Sequence, residues 1–388
     1  MSSEIFEVTD GKSDRAVIRV IGVGGGGCNT VNQMVEASIE GVDFICANTD
    51  RQHLERCKTT AILQLGAGIT RGLGAGSNPE VGRQAALEDK DRIRELVEGT
   101  DLLFITAGMG GGTGTGGAPV IAEIARDLGI LTVAVVTKPF MFEQKKRMNA
   151  AIKGIEDLER FVDSLILIPN EKLLLVMGED AEADACFKAA NDVLQNAVQG
   201  ISDVITRPGQ INLDFADVKT VMQNRGKAMM GMGSAKGDDR AMKAVEAALA
   251  SPLLDDLELS NARGILLSMS CDRSLKMGEM QKINMRVQQI AHDDCDFKFG
   301  TSLDTALDGE MRVTVVATGL GGAKMAAHDS KVVPLQAPVR KATLKEITEV
   351  PAIDRTPAQA KKQPAKLDDL VYDENLLDIP AFLRAQAD

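Results

Sequence analysis

The chain has no tryptophan, one tyrosine (Tyr372) and 3% aromatic residues, so its core must be assembled from Val, Ile, Leu, Met and Ala. A positive charge balance is also missing: 44 basic side chains face 56 acidic ones, a formal charge of −12 that works against binding a nucleic-acid backbone. Any bound phosphate must therefore be held by main chain rather than by a basic surface. The six cysteines (Cys28, Cys46, Cys57, Cys186, Cys271, Cys295) contain no CxxC pair and no disulfide-like spacing, and the three histidines are scattered. A reduced, cytoplasmic setting without a zinc site is expected. The N-terminal stretch carries charges throughout and no apolar segment, so no secretory signal is expected. The uncharged run Leu102 to Ala122 is long enough to span a bilayer but is rich in Gly and contains Pro119, and direct membrane insertion is not expected.

Two glycine runs stand out. GMGGGTGTGG at 108–117 opens out of the apolar DLLFITAG and leads into the helix-like APVIAEIARDL, and GVGGGGCN at 22–29 follows AVIRVI in the same way. A strand that empties into a Gly/Thr loop and a helix start presents unhindered backbone N–H groups, hydroxyls and a positive dipole end together, which suits phosphate. Two such loops can grip a polyphosphate from two sides. Ligand-free tight turns explain the 108–117 run poorly, because each glycine is destabilising by roughly 0.5–1 kcal/mol relative to Ala. Gly22-x-Gly24-x-x-Gly27 formally fits a dinucleotide fingerprint, with Asp50 ending the next strand where a ribose-binding acid could sit. A Rossmann-type nicotinamide oxidoreductase is thus one alternative, but it leaves the second loop without a role. Neither run contains GxxxxGK[ST].

Strand-like apolar runs alternate with amphipathic helical ones, which predicts an α/β fold with a doubly wound, mostly parallel sheet. A chain of 388 residues, 44% apolar, suits two cores better than one. A helix is expected from Asn29, another from Pro79 behind an Asn78 cap, another from Phe142 to Phe161, and a long one from Ala181 to Arg207 that ends at Pro208-Gly209. The expected divisions are a flexible terminus at 1–15, a phosphate-binding domain at 16–180, a central helix at 181–208 and a smaller α/β domain at 209–320. Residues 321–366 hold five prolines and no aromatic, which predicts a disordered linker. In 367–388, LLDIPAFLRAQAD regains apolar side chains, as a docking peptide on a tether would.

GGGTGTG at 110–116, with GVGGGG, NTD at 48–50, GLGAG at 72–76, TKPFMFEQKKR, AANDVL and NLDFADV in that order, resembles the tubulin/FtsZ family of GTPases. The resemblance covers about Ala16 to Leu320 and resumes at the C-terminal peptide. It implies a GTP/GDP pocket in which Gly25, Gly26, Gly27, Cys28 and Asn29 line the first phosphate loop and Gly111, Gly112, Thr113 and Gly114 the second. Glu143 and Arg147 would lie at the ribose and phosphates, Asn170 and Asp192 at the base, and Phe187 against the ring. A carboxylate accepting from two adjacent N–H groups suits guanine rather than adenine. Asn212, Asp214 and Asp217 would complete hydrolysis in the neighbouring subunit, with Mg2+ expected and its ligands unassigned. Such a head-to-tail contact does not close and so builds a filament.

The resemblance further implies a cytokinetic ring at mid-cell, FtsA- and ZipA-like membrane adaptors on residues 376–388, and division regulators as partners. A GTP-dependent scaffold without turnover is the other alternative. Cys28 stands where Gly is common in the family, and a thiol at a helix N-terminus can have a lowered pKa, so alkylation at Cys28 is expected to disturb nucleotide binding.

Overall fold

In the computed structural model, ten strands form one mixed sheet, and residues 16–178, 180–224, 226–254 and 259–320 are described. The strands are β1 (Ile18–Val23), β2 (Val42–Asn48), β3 (Ala61–Gln64), β4 (Leu102–Gly108), β5 (Leu131–Lys138), β6 (Ser164–Pro169), β7 (Lys227–Lys236), β8 (Gly264–Cys271), β9 (Asp296–Leu303) and β10 (Glu310–Leu320). Their order across the sheet is β3-β2-β1-β4-β5-β6-β7-β10-β8-β9. The helices are α1 (Gly24–Glu36), α2 (Arg51–Leu54), α3 (Ala67–Thr70), α4 (Pro79–Glu88), α5 (Lys90–Val97), α6 (Thr113–Asp127), α7 (Lys145–Glu159), α8 (Asn170–Met177), α9 (Ala183–Thr206), α10 (Phe215–Met222), α11 (Arg240–Leu249) and α12 (Met277–Gln288).

Strand side chains alternate between two faces. Ile18 and Val20 of β1, Leu102 and Phe104 of β4, and Val133 and Val135 of β5 join one core with α1 and α9. Ile21 and Val23, Leu103 and Ile105, and Ala134 and Val136 join another with α4, α5, α6 and α7. Near-continuous apolar strands covered on both faces are what a doubly wound parallel sheet requires, and β1 to β6 pair in parallel throughout. The two halves of the described chain meet where β6 pairs with β7 at Leu165↔Lys227 and Ile166↔Ala228. Beyond that join, β10 runs antiparallel to β7 and β8, and a third core forms under α11 and α12.

Two helix starts differ from the sequence expectation. α1 begins at Gly24, not Asn29, so the glycines are its first turn; there the N–H groups have no intrahelical partner in any case, and low helix propensity is tolerated. The expected helix from Phe142 instead begins as a short 3-10 turn, Met141–Glu143, and Gln144 at φ +80° separates it from α7. The expectations for 1–15, 321–366 and 367–388, the adaptor-docking peptide included, fall outside the described residues.

Candidate functional site

At β1 the sheet changes direction of winding, with β2 on one side and β4 on the other. Crossovers that depart in opposite directions open a crevice beyond the carboxyl ends of the two central strands. Both glycine runs start there, the first as β1 passes into α1 and the second as β4 passes towards α6. The loops touch: a Cβ on Gly24 would lie 2.8 Å from the Gly114 nitrogen, and one on Gly26 would lie 3.2 Å from the Gly108 nitrogen. Gly24 also sits at φ +72°, a conformation L side chains rarely adopt.

Packing accounts for some of these glycines and not others. A Cβ on Gly27 would overlap the Thr106 carbonyl, one on Gly112 would lie 2.8 Å from the Ala75 Cβ, and one on Gly114 would lie 2.9 Å from the Gly108 carbonyl. A Cβ on Gly111 would meet nothing within 4 Å, and one on Gly25 would meet only the His53 ring, at 3.7 Å. Gly25 and Gly111 therefore border open space on either side of the crevice, where a phosphate would sit. The Thr113 hydroxyl is pinned 2.6 Å from that of Thr49, and Thr115 Oγ1 accepts the Gly110 N–H at 2.8 Å.

Other candidates line the same end of the sheet. Glu143 Oε1 accepts the Phe140 N–H at 2.9 Å, and its other oxygen lies 3.2 Å from Arg147 Nη1. Arg147 borders the second loop, since a Cβ on Gly110 would fall 2.7 Å from its Cγ. Asn170 opens α8 directly after β6; it is 5% exposed, and its Oδ1 has no hydrogen-bond partner. A buried carboxamide oxygen left unpaired carries a penalty of about 1–3 kcal/mol. Phe187 on α9 is 46% exposed and sits edge-on to Phe140, centroids 5.5 Å apart. Asp192 on α9 accepts from Gln33 Nε2 of α1, and Asn29 lines the groove between those two helices with Lys188 and Asn191.

The acidic group lies elsewhere. Asp214 caps α10 by accepting the Asp217 N–H at 2.7 Å, Asn212 Oδ1 accepts the Gly209 N–H at 2.7 Å, and Asp217 Oδ1 lies 2.6 Å from Lys298 Nζ on β9. Asp214 shares a cavity with Ala16, Val17 and Ile18, at the amino end of β1. The glycine loops lie at the other end of that strand, the first leaving β1 itself and the second its neighbour β4. At about 3.3 Å per residue, the length of β1 sets the two groups about 20 Å apart.

Two sequence expectations need correction. The Cys28 thiol does not face the crevice: Sγ lies in the core, 3.6 Å from the Gly22 carbonyl and 3.8 Å from that of Ala47. Hydrogen bonding with Cys46 and Cys57, together with burial, pushes the thiol well up rather than down, so the expected reactivity at this position is reversed. Helix geometry explains this, because the fifth residue of α1 points back towards β1 and β2 while the first turn's N–H groups point out. Asp50, considered as a ribose ligand, is occupied as the cap of α2, accepting the His53 N–H at 3.2 Å.

The description "Tubulin/FtsZ family, GTPase domain" fits residues 17–178, and "FtsZ family, C-terminal domain" fits residues 226–321. The cell division protein FtsZ of Pseudomonas aeruginosa is 51% identical over 99% of this chain and 100% of its own length. This chain belongs to the FtsZ family. That of Coxiella burnetii is 50% identical over 98% of this chain and 99% of its own. The solved FtsZ dimer from M. jannaschii, 42% identical, covers 79% of this chain and 89% of its own at a TM-score of 0.76. CetZ2 from Haloferax volcanii, 18% identical with a TM-score of 0.68, shares the fold. Family membership and the 17–178 GTPase domain make this a guanine-nucleotide-binding GTPase, and neither the nicotinamide oxidoreductase nor the passive scaffold is favoured.

Three residues absent from the sequence expectations stand against candidate ones: Thr49 against Thr113 of the second loop, Gln33 against Asp192, and Lys298 against Asp217. Thr49 had a signal, being part of the NTD segment. Gln33 and Lys298 are ordinary residue types at long sequence separation, and nothing local marks them.

Proposed function

We propose that this protein is a polymerising cell-division GTPase that assembles head-to-tail into the filaments of a mid-cell ring, each copy completing its neighbour's active site. The separation along β1 carries this reading. The loops suited to phosphate lie at its carboxyl end, whereas Asp214 stands beside its amino end, out of reach within one copy. Translating one copy along the strand axis brings the Asn212, Asp214 and Asp217 face of one subunit to the crevice of the next. The contact is heterologous and therefore propagates. The M. jannaschii relative was solved as a dimer, in keeping with self-association here.

Within one copy, the N–H groups around Gly25 to Asn29 and Gly111 to Gly114 cradle the phosphates, and Arg147 neutralises charge beside the second loop. Asn170, with its unpaired oxygen, and Asp192, exchanging Gln33 for guanine N–H groups, select the base, while Phe187 covers the ring. From the next copy, Asp214 and Asp217 orient the attacking water, and Asn212 holds the loop's turn through Gly209. A bound Mg2+ would spread the charge developing on the phosphates. No group of three carboxylate or histidine ligands lies beside the loops among the described residues, so the ion would take most of its ligands from phosphate and water. Residues 376–388 are the proposed docking peptide for FtsA- and ZipA-like adaptors. The described helices include none long and apolar enough to cross a membrane.

Turnover per subunit, measured against protein concentration, tests the split site. A threshold below which turnover collapses is expected, and constant specific activity at all concentrations overturns the reading. Mixing Asp217→Ala, which keeps its loops, with Gly111→Val, which keeps its acids, should restore turnover that neither shows alone.

A further inference from the structure

Beneath the first glycine loop three cysteines converge from three elements. Cys28 comes from α1, Cys46 from β2 and Cys57 from the segment after α2, and their Sγ atoms all lie within 4.8 Å of one another. Strand register brings this about. Cys46 stands opposite Gly22 on β1, and Cys28, one turn into α1, turns its sulfur back onto the Gly22 carbonyl. Cys57 Sγ lies 3.6 Å from the His53 carbonyl at the end of α2. All six cysteines of the chain are free.

We infer that Cys28, Cys46 and Cys57 form a binding site for a thiophilic d10 cation, of the zinc or monovalent copper class. The distances fit, because sulfurs held about 2.3 Å from one ion stand about 4 Å apart, so closing the site needs sulfur shifts below about 1 Å. The donor set fits too, since thiolates select zinc and monovalent copper over magnesium and calcium. A buried cysteine commonly serves as a small apolar side chain, and one would suffice for that. Three that turn their sulfurs on one point form a ligand set. Cys28 and Cys46 are fully buried beside Val31, Met34 and Leu54, while Cys57 is half-exposed and provides the entry path. No histidine or carboxylate joins the group among the described residues, so a fourth ligand would be water on the Cys57 side. Spacing in the sequence hid this site, because the ligands lack a CxxC pair and meet only through the β1–β2 register.

Binding is a proton-for-metal exchange: each of the three sulfurs that still carries a proton passes it to the buffer as its S–metal bond forms, with no change of oxidation state. An ion here would tie β2 and the α2 segment to the helix whose first turn is the first glycine loop.

The full-length chain, without a histidine tag and fully reduced, would be dialysed anaerobically against Zn2+ and, in a separate arm, against monovalent copper. Metal content is then measured by mass spectrometry, and Co2+ serves as a probe through thiolate charge-transfer absorption. One equivalent of zinc or of copper is expected, the better-retained ion identifying the source. Cys57→Ser should lower affinity by more than about tenfold, and Cys295→Ser should bind as the parent does. Cys57 is the half-exposed member, so its variant keeps the fold and the test should Cys28 or Cys46 variants fail to fold. Three results would overturn the inference: no stoichiometric uptake of either ion, undiminished uptake by Cys57→Ser, or a disulfide within the trio in the protein as isolated.

Discussion

Lys298 Nζ on β9 lies 2.6 Å from Asp217 Oδ1 on α10, tying the acidic face of the molecule to the outermost strand of its second half. The pair is about one-third exposed on each side, so its net stabilisation falls in the surface range of about 0–1 kcal/mol. Position is the larger effect. Lys298→Met should leave thermal stability almost unchanged and GTP affinity within about twofold, while lowering kcat by up to about a hundredfold through a misplaced carboxylate. Steady-state turnover beside nucleotide titration checks this, and an unaltered kcat would remove Lys298 from the site.

Glycines at the crevice and glycines at the helix crossing should respond in opposite ways. A Cβ on Gly116 of α6 would overlap the Pro79 carbonyl of α4, so Gly116→Ala should destabilise by about 1–3 kcal/mol or more through overpacking. Gly111→Ala meets open space and should change stability by no more than about 0.5 kcal/mol. Its effect should appear instead as weakened GTP binding. Denaturant unfolding and nucleotide titration of both variants would separate the two roles.

Asn170 pairs a stability penalty with its proposed binding role. Its Oδ1 is buried without a partner, so Asn170→Leu, which removes the polar group at similar volume, should leave the protein without added nucleotide as stable as the parent or about 1 kcal/mol more so. The rise in Tm on adding GTP should shrink or vanish. Thermal melts with and without GTP decide, and a full GTP-induced shift in the variant would exclude Asn170 from the pocket.

Asp203 on α9 governs a pH window. Burial raises its pKa from 3.8 to about 6, against the opposing pull of Arg207. Arg207 Nε lies 3.1 Å from Asp203 Oδ1, yet its N–H is not directed at that oxygen, and neither atom has a hydrogen-bond partner. The folded state thus holds this proton more tightly than the unfolded chain does. The group's contribution is most favourable below pH 3.8 and is lost as pH rises through about 6. Asp203→Asn should therefore gain stability relative to the parent as pH rises across that interval, and the difference should be constant above it. Denaturant midpoints at several pH values measure it, and a difference independent of pH would contradict the assignment.

The doubly wound layer was legible because β1, β4 and β5 are apolar on both faces, and that pattern belongs to strands buried twice. The glycine loops were legible because main chain that must approach a ligand closely leaves few residue types to choose from. Orientation was harder to read. Whether Cys28 turns its thiol to the crevice or to the core depends on where α1 begins, and the orphaned N–H groups of a first turn let glycine open the helix five residues before Asn29. The join at Leu165↔Lys227 and Ile166↔Ala228 had no local signal, because nothing in the sequence of β7 marks which strand its first residues pair with. Lys298 and Gln33 acquire meaning only from partners that folding brings to them.

In the proposed head-to-tail row, where β1 separates the phosphate loops of each copy from its acidic residues, n copies contain n − 1 finished catalytic centres. The copy whose loops lie bare at one tip keeps its triphosphate intact however long the row grows. The two tips are therefore chemically unequal before any regulator arrives, and growth and loss there follow different rules.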